Sequence, residues 1–147
     1  MTIKERLQQD WVRAMKDKDK ELASILSMAK AAILQVEKTD NRKVEEAESV
    51  EILAREIKQR REAAAEFEKG NRQDLVDKAE KEISVLLTYM PEQLSADEIK
   101  AIISEKAAEM GANNIKDMGK LMKEVRPLTV GRADGKEVSN LVKEFLS

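Results

Sequence analysis

The sequence predicts an all-α protein on three observations. Charged residues make up 38% of the 147 positions and aromatics only 3%, a balance of Ala, Glu, Lys, Leu and Arg that favours helix over sheet. Five glycines and two prolines are all that punctuate the chain. Between them apolar residues recur at helical spacing, and a 41% hydrophobic content with that periodicity argues against disorder. The expected architecture is an N-terminal antiparallel helical bundle with a long hairpin, residues 1–90, followed by a small three-helix C-terminal domain, residues 95–147.

The first helix opens at Thr2-Ile3-Lys4-Glu5, which has capping-box spacing with threonine at N-cap and glutamate at N3. Ile3, Leu7, Trp11, Ala14 and Met15 then fall on one stripe. Asp17-Lys18-Asp19 interrupts it, and Asp19 is placed to cap a second helix whose apolar face is Leu22, Ile25, Leu26, Ala29, Ile33 and Leu34. A loop follows at Thr39-Asp40-Asn41. The third helix is expected from Lys43 to Lys69, with Val50, Leu53, Ile57, Ala64 and Phe67 as its seam. Gly70 is a natural left-handed C′ residue there.

The fourth helix carries Leu75, Ala79, Ile83, Leu86, Leu87 and Met90, and the short turn before it predicts antiparallel packing on the third. Pro91 stops it, and Pro91-Glu92-Gln93-Leu94 forms a linker. Ser95-Ala96-Asp97-Glu98 is a second capping box, leading into Ile99, Ile102, Ile103, Ala107 and Met110 before Gly111. Asn114 caps the next helix with Asp117 at N3, turning Ile115, Met118, Leu121, Met122 and Val125 inward until Pro127 ends it. Asp134 then caps a last helix that buries Val138, Leu141, Val142, Phe145 and Leu146.

Composition excludes much chemistry. The chain has no cysteine and no histidine, which removes thiolate nucleophiles, the usual general base near neutral pH and the commonest zinc ligand. Ser24, Ser27, Ser84, Ser104 and Ser139 therefore lack an evident activating base. No glycine-rich strand-to-helix phosphate loop or EF-hand loop occurs. No catalytic residue, cofactor site or metal site is expected. Glu45, Glu46, Glu48 and Glu51 read as complementing a helix dipole, and Lys58-Gln59-Arg60-Arg61, flanked by Glu56 and Glu62, as an ion-paired surface. MTIKERLQQDW has no apolar core of a secretory signal, and no apolar run is long enough to span a bilayer; a cytoplasmic protein without a membrane partner is expected.

One stretch departs from plain amphipathic helix. Lys116 to Lys136 holds six cations (Lys116, Lys120, Lys123, Arg126, Arg132 and Lys136) against Asp117, Glu124 and Asp134, a net +3 on a chain whose total is −2. Lys116, Lys120, Lys123 and Arg126 are spaced four, three and three apart, so they share a face roughly opposite Leu121. Such a row is able to follow successive phosphates. Gly119 stands within the helix, where it costs about 1 kcal/mol relative to alanine, a cost offset by close helix packing or by close approach of a ligand. Gly131-Arg132-Ala133-Asp134-Gly135 places an arginine beside a permissive backbone and a helix N-terminus that favours anions. Two readings stand side by side: a phosphate-binding surface, or lysines that solubilise, glycines that shape turns and an aspartate that caps its own helix.

KQRREAAAEFEKGNRQDLVDKAEKEISVLLTYMPEQLSADEI, Lys58 to Ile99, followed by KDMGKLMKEVRPLTVGRADGKEVSNLVKEFL, Lys116 to Leu146, closely resembles the YqeY-like, or GatB/YqeY domain, proteins. The second block, with Gly119, Lys120, Met122 and Lys123 and then Gly131, Arg132, Ala133, Asp134, Gly135 and Lys136, is the more specific. The resemblance implies a helical bundle followed by a small helical domain like the tail of the B subunit of glutamine-dependent aminoacyl-tRNA amidotransferases. There the tail engages tRNA, while other domains and a partner amidase carry out the carbon–nitrogen ligase chemistry with glutamine as amide donor. It implies tRNA as partner, with Lys116, Lys120, Lys123, Arg126, Arg132 and Lys136 meeting phosphate and Gly119, Gly131, Asp134 and Gly135 fixing backbone shape. The alternatives are a protein–protein adaptor using the hairpin of residues 43–90, and an accessory to amidotransferase components and aminoacyl-tRNA.

Overall fold

The computed structural model describes residues Met1–Ser147 as seven α-helices and one 3₁₀ turn, with no strand. Two compact units form, Met1–Met90 and Pro91–Ser147. The first is the helical bundle α1 (Ile3–Lys16), α2 (Lys20–Asp40), α3 (Glu46–Lys69) and α4 (Gln73–Leu87). The second holds α5 (Ala96–Met110), the 3₁₀ turn Ile115–Asp117, α6 (Met118–Thr129) and α7 (Gly135–Leu146).

In the first unit each helix contributes one leucine that is at most 1% exposed: Leu7, Leu26, Leu53 and Leu86. Burying such a side chain is worth about 1.5–3 kcal/mol, so these four are the centre of the bundle. The α1–α2 pair is antiparallel, because Lys4 meets Glu37 at 2.6 Å and Lys30 lies 4.1 Å from the Trp11 ring centroid, both pairs bracketing the turn that Asp19 caps. The α3–α4 hairpin is antiparallel too: Arg60 Nε donates to Glu82 at 2.9 Å, across the Gly70–Arg72 turn.

Several local expectations give way to tertiary partners. Thr2 accepts from the Glu5 N–H as a cap should, yet the Ile3 N–H goes to Glu46, at 3.0 and 3.2 Å to its two oxygens, so α3 helps to cap α1. The third helix starts at Glu46 and not at Lys43, because Glu37 accepts from the Val44 N–H at 2.9 Å and Arg42 grips both oxygens of Glu48. The contacts of Glu37 with Lys4 and Val44 hold its carboxyl below the ordinary carboxylate range. At the end of α3 the left-handed residue is Asn71, φ 55°, while Gly70 has φ −86°. The chain therefore turns one residue later than glycine preference suggests.

The second unit packs Ile99, Ile103 and Ala107 of α5 against Leu121 and Val125 of α6 and Val138, Val142 and Leu146 of α7. Ser95 and Glu98 form the expected reciprocal capping box, and Gly111 closes α5 with φ 71°. Pro127 does not end its helix: α6 runs on to Thr129. Only the carbonyl of Lys123 loses an intrahelical donor to the ring, and Lys123 and Pro127 both lie on the exposed side. The Val130 N–H to Arg126 carbonyl bond, 2.9 Å, and the Thr129 hydroxyl hold the last turn. Met15, Leu34, Met110, Ile115 and Phe145, expected inside, are exposed. They flank their stripes, and the central residues beside them (Ala14, Ile33, Ala107 and Leu146) fill the core.

Candidate nucleic-acid interface

Asn113 to Asp117 starts the cationic segment with its own polar lock. Asn114 accepts from the Lys116 N–H at 2.9 Å, and Asp117 accepts from the Asn113 and Asn114 N–H groups at 3.1 and 3.4 Å. That spends the Asp117 carboxylate on backbone and leaves Lys116 exposed on the turn. Helix α6 follows directly. Leu121 and Val125, both 0% exposed, anchor one side to the core. Lys120, Lys123 and Arg126 are thereby turned to the other side, all exposed. Within the C-terminal unit none of the four cations donates to a carboxylate.

Gly119 is the second residue of α6, in its first turn. A Cβ built on it meets no atom within 4 Å, so close helix packing is not what its missing side chain serves. Gly135 is equally open, at the first position of α7.

The loop from Gly131 to Gly135 serves a purpose the sequence does not disclose. Gly131 is left-handed, φ 75°, and its carbonyl accepts from Gln93 Nε2 at 2.9 Å. The Arg132 carbonyl accepts from the Leu94 N–H at 2.7 Å, and Arg132 Nε donates to the Glu92 carbonyl at 3.3 Å. Arg132 thus ties down the segment before α5. Its charge also adds to the stronger hydrogen bonds from Ser95 that hold the Glu98 carboxyl below its ordinary range. Asp134 accepts from the Lys136 N–H at 3.1 Å and caps α7. Its carboxylate occupies the helix N-terminus at which an anion was expected. Lys136 is exposed beyond it.

Sequence reasoning missed Glu92, Gln93 and Leu94 as partners of this loop. Their contacts span 38 to 40 residues and use mostly backbone atoms, which leave no residue-type signature.

Elsewhere the charge clusters are structural. Arg60, 12% exposed in its side chain, is paired with Glu56 at 3.1 Å and Glu82 at 2.9 Å. Trp11 packs against the first core, as an apolar stripe residue should. A depression of about 690 Å³ is lined by α1 and the residue after it (among them Lys4, Gln8, Val12, Arg13 and Asp17) and is an open helix face. No group of three acidic side chains is placed to hold a metal ion, and no helix is long and apolar enough to cross a membrane.

The model of the YqeY-like protein family matches residues 4–146. An uncharacterized protein of Schizosaccharomyces pombe is 30% identical over 82 residues, which is 56% of this chain and 67% of that protein. With a match spanning both helical units, the chain belongs to the YqeY-like protein family.

Proposed function

We propose that the C-terminal unit is a non-catalytic tRNA-binding module that holds the phosphate backbone along α6. The observation that carries this reading is the set Lys116, Lys120, Lys123 and Arg126, exposed and without carboxylate partners in their own unit, the last three turned away from Leu121 and Val125 on α6, in a chain of net charge −2. A row that merely solubilised the surface would sit as well beside acidic partners, as the charges of the hairpin do. No aromatic side chain interleaves the cations, so recognition runs through phosphate and duplex shape, not base stacking. Lys136 extends the surface, and Arg132 contributes the part of its guanidinium not spent on Glu92. The resemblance of the same stretch to the amidotransferase B-subunit tail selects tRNA among RNAs. Any amide transfer belongs to other subunits.

Cation–phosphate contacts release counterions, so binding falls steeply with salt. A salt titration of tRNA binding by the intact chain is the test. The Lys120→Ala/Lys123→Ala/Arg126→Ala variant lowers the log–log slope by about 2–3. Absence of tRNA affinity at low salt, or an unchanged slope in the variant, refutes the proposal.

A further inference from the structure

We infer that Gly119 is a notch in the cationic face of α6, the point at which the RNA ribose–phosphate chain comes against the helix backbone. This rests on the tRNA reading and assigns a contact within it. Gly111 and Gly131 have left-handed backbones, and a Cβ on Gly70 would make ordinary contacts with the last turn of α3. Gly119 has neither a left-handed backbone nor any neighbour within 4 Å of a built Cβ. It is exposed in the first turn of α6, where a residue with a side chain such as alanine serves the helix at least as well. The fold therefore gives no reason for its missing side chain.

Its surroundings do. Lys123 stands four residues on and Arg126 seven, on the same side of the helix, with Lys120 adjacent. The cations run over roughly 10 Å of axis from Gly119, the one position in that row without a side chain. A phosphodiester seated there reaches the backbone while the long side chains of Lys120 and Lys123, leaning toward the helix N-terminus, reach back to it. Gly135 is just as open, but it opens α7 beside the Asp134 cap and lies outside the row of cations on α6, which leaves Gly119 as the approach point.

The test uses the full chain with Gly119→Ala and Gly119→Gln, measuring tRNA affinity by anisotropy, its salt slope, and the melting temperature. Both variants melt higher than wild type, because each improves the helix. Affinity falls about threefold for alanine and more than about tenfold for glutamine. The salt slope stays unchanged, because no cation is removed. Unchanged affinity in Gly119→Gln overturns the inference while leaving the tRNA reading standing. A lower melting temperature in Gly119→Ala also overturns it, since it shows a structural need for glycine. A wild-type chain that does not bind tRNA refutes the reading itself.

Discussion

The backbone N–H of Leu94 donates to the carbonyl of Arg132 at 2.7 Å, joining the segment before α5 to the loop between α6 and α7. Gln93 reaches the neighbouring Gly131 carbonyl, and Arg132 returns a bond to Glu92. The loop whose glycine and arginine looked suited to a ligand is also a clamp on its own chain. Its left-handed residue aims consecutive carbonyls at that segment, which is why the conformation matters.

Gly131→Ala therefore destabilises the protein by about 1 kcal/mol or more, because alanine at φ 75° is strained and the clamp shifts. Urea unfolding measures it. A variant as stable as wild type shows that the loop relaxes freely.

In the hairpin, Glu82→Gln costs about 1–3 kcal/mol, because Arg60 is largely enclosed and keeps only Glu56 as an anionic partner. Replacing Arg60 and Glu82 together by methionine recovers part of that loss, since it removes the enclosed guanidinium and leaves only the partly exposed Glu56 without its partner. A double variant no better than the single one shows that the pair is worth more than its desolvation.

Tyr89 is buried, donates its hydroxyl to Asp10 and lies beneath the Arg6 guanidinium. Burial first, then the hydrogen bond to Asp10, raises its phenol above the ordinary value of 10. The folded state thus keeps a proton that the unfolded chain releases, so this stability is complete below pH 10 and is lost as pH rises through the higher folded value. Tyr89→Phe costs about 1 kcal/mol at neutral pH. It also flattens the alkaline fall in the urea midpoint, and parallel curves for the two proteins contradict the assignment.

Ser49 is fully buried in α3, and its hydroxyl has no hydrogen-bond partner. Ser49→Ala stabilises the fold by about 0.5–1 kcal/mol, through a better helix former and one fewer desolvated hydroxyl. A loss of stability on thermal melting contradicts this.

The helices were legible in the amino-acid pattern, because apolar spacing and Asp19, Ser95, Asn114 and Asp134 as caps act within one turn of the chain. So was the exposed row Lys120, Lys123 and Arg126, since burying Leu121 and Val125 turns those cations outward. Tertiary structure decided what depends on residues far apart: Glu46 capping α1, the α3 start set by Glu37 and Glu48, Asn71 taking the turn in place of Gly70, and Pro127 carried inside α6. It also showed Arg132 clamping its own chain, and Gly119 standing open among cations with no packing to explain it. Local patterns set the centre of each buried stripe, whereas its edges and the partner of a backbone N–H or carbonyl are chosen only when distant segments meet.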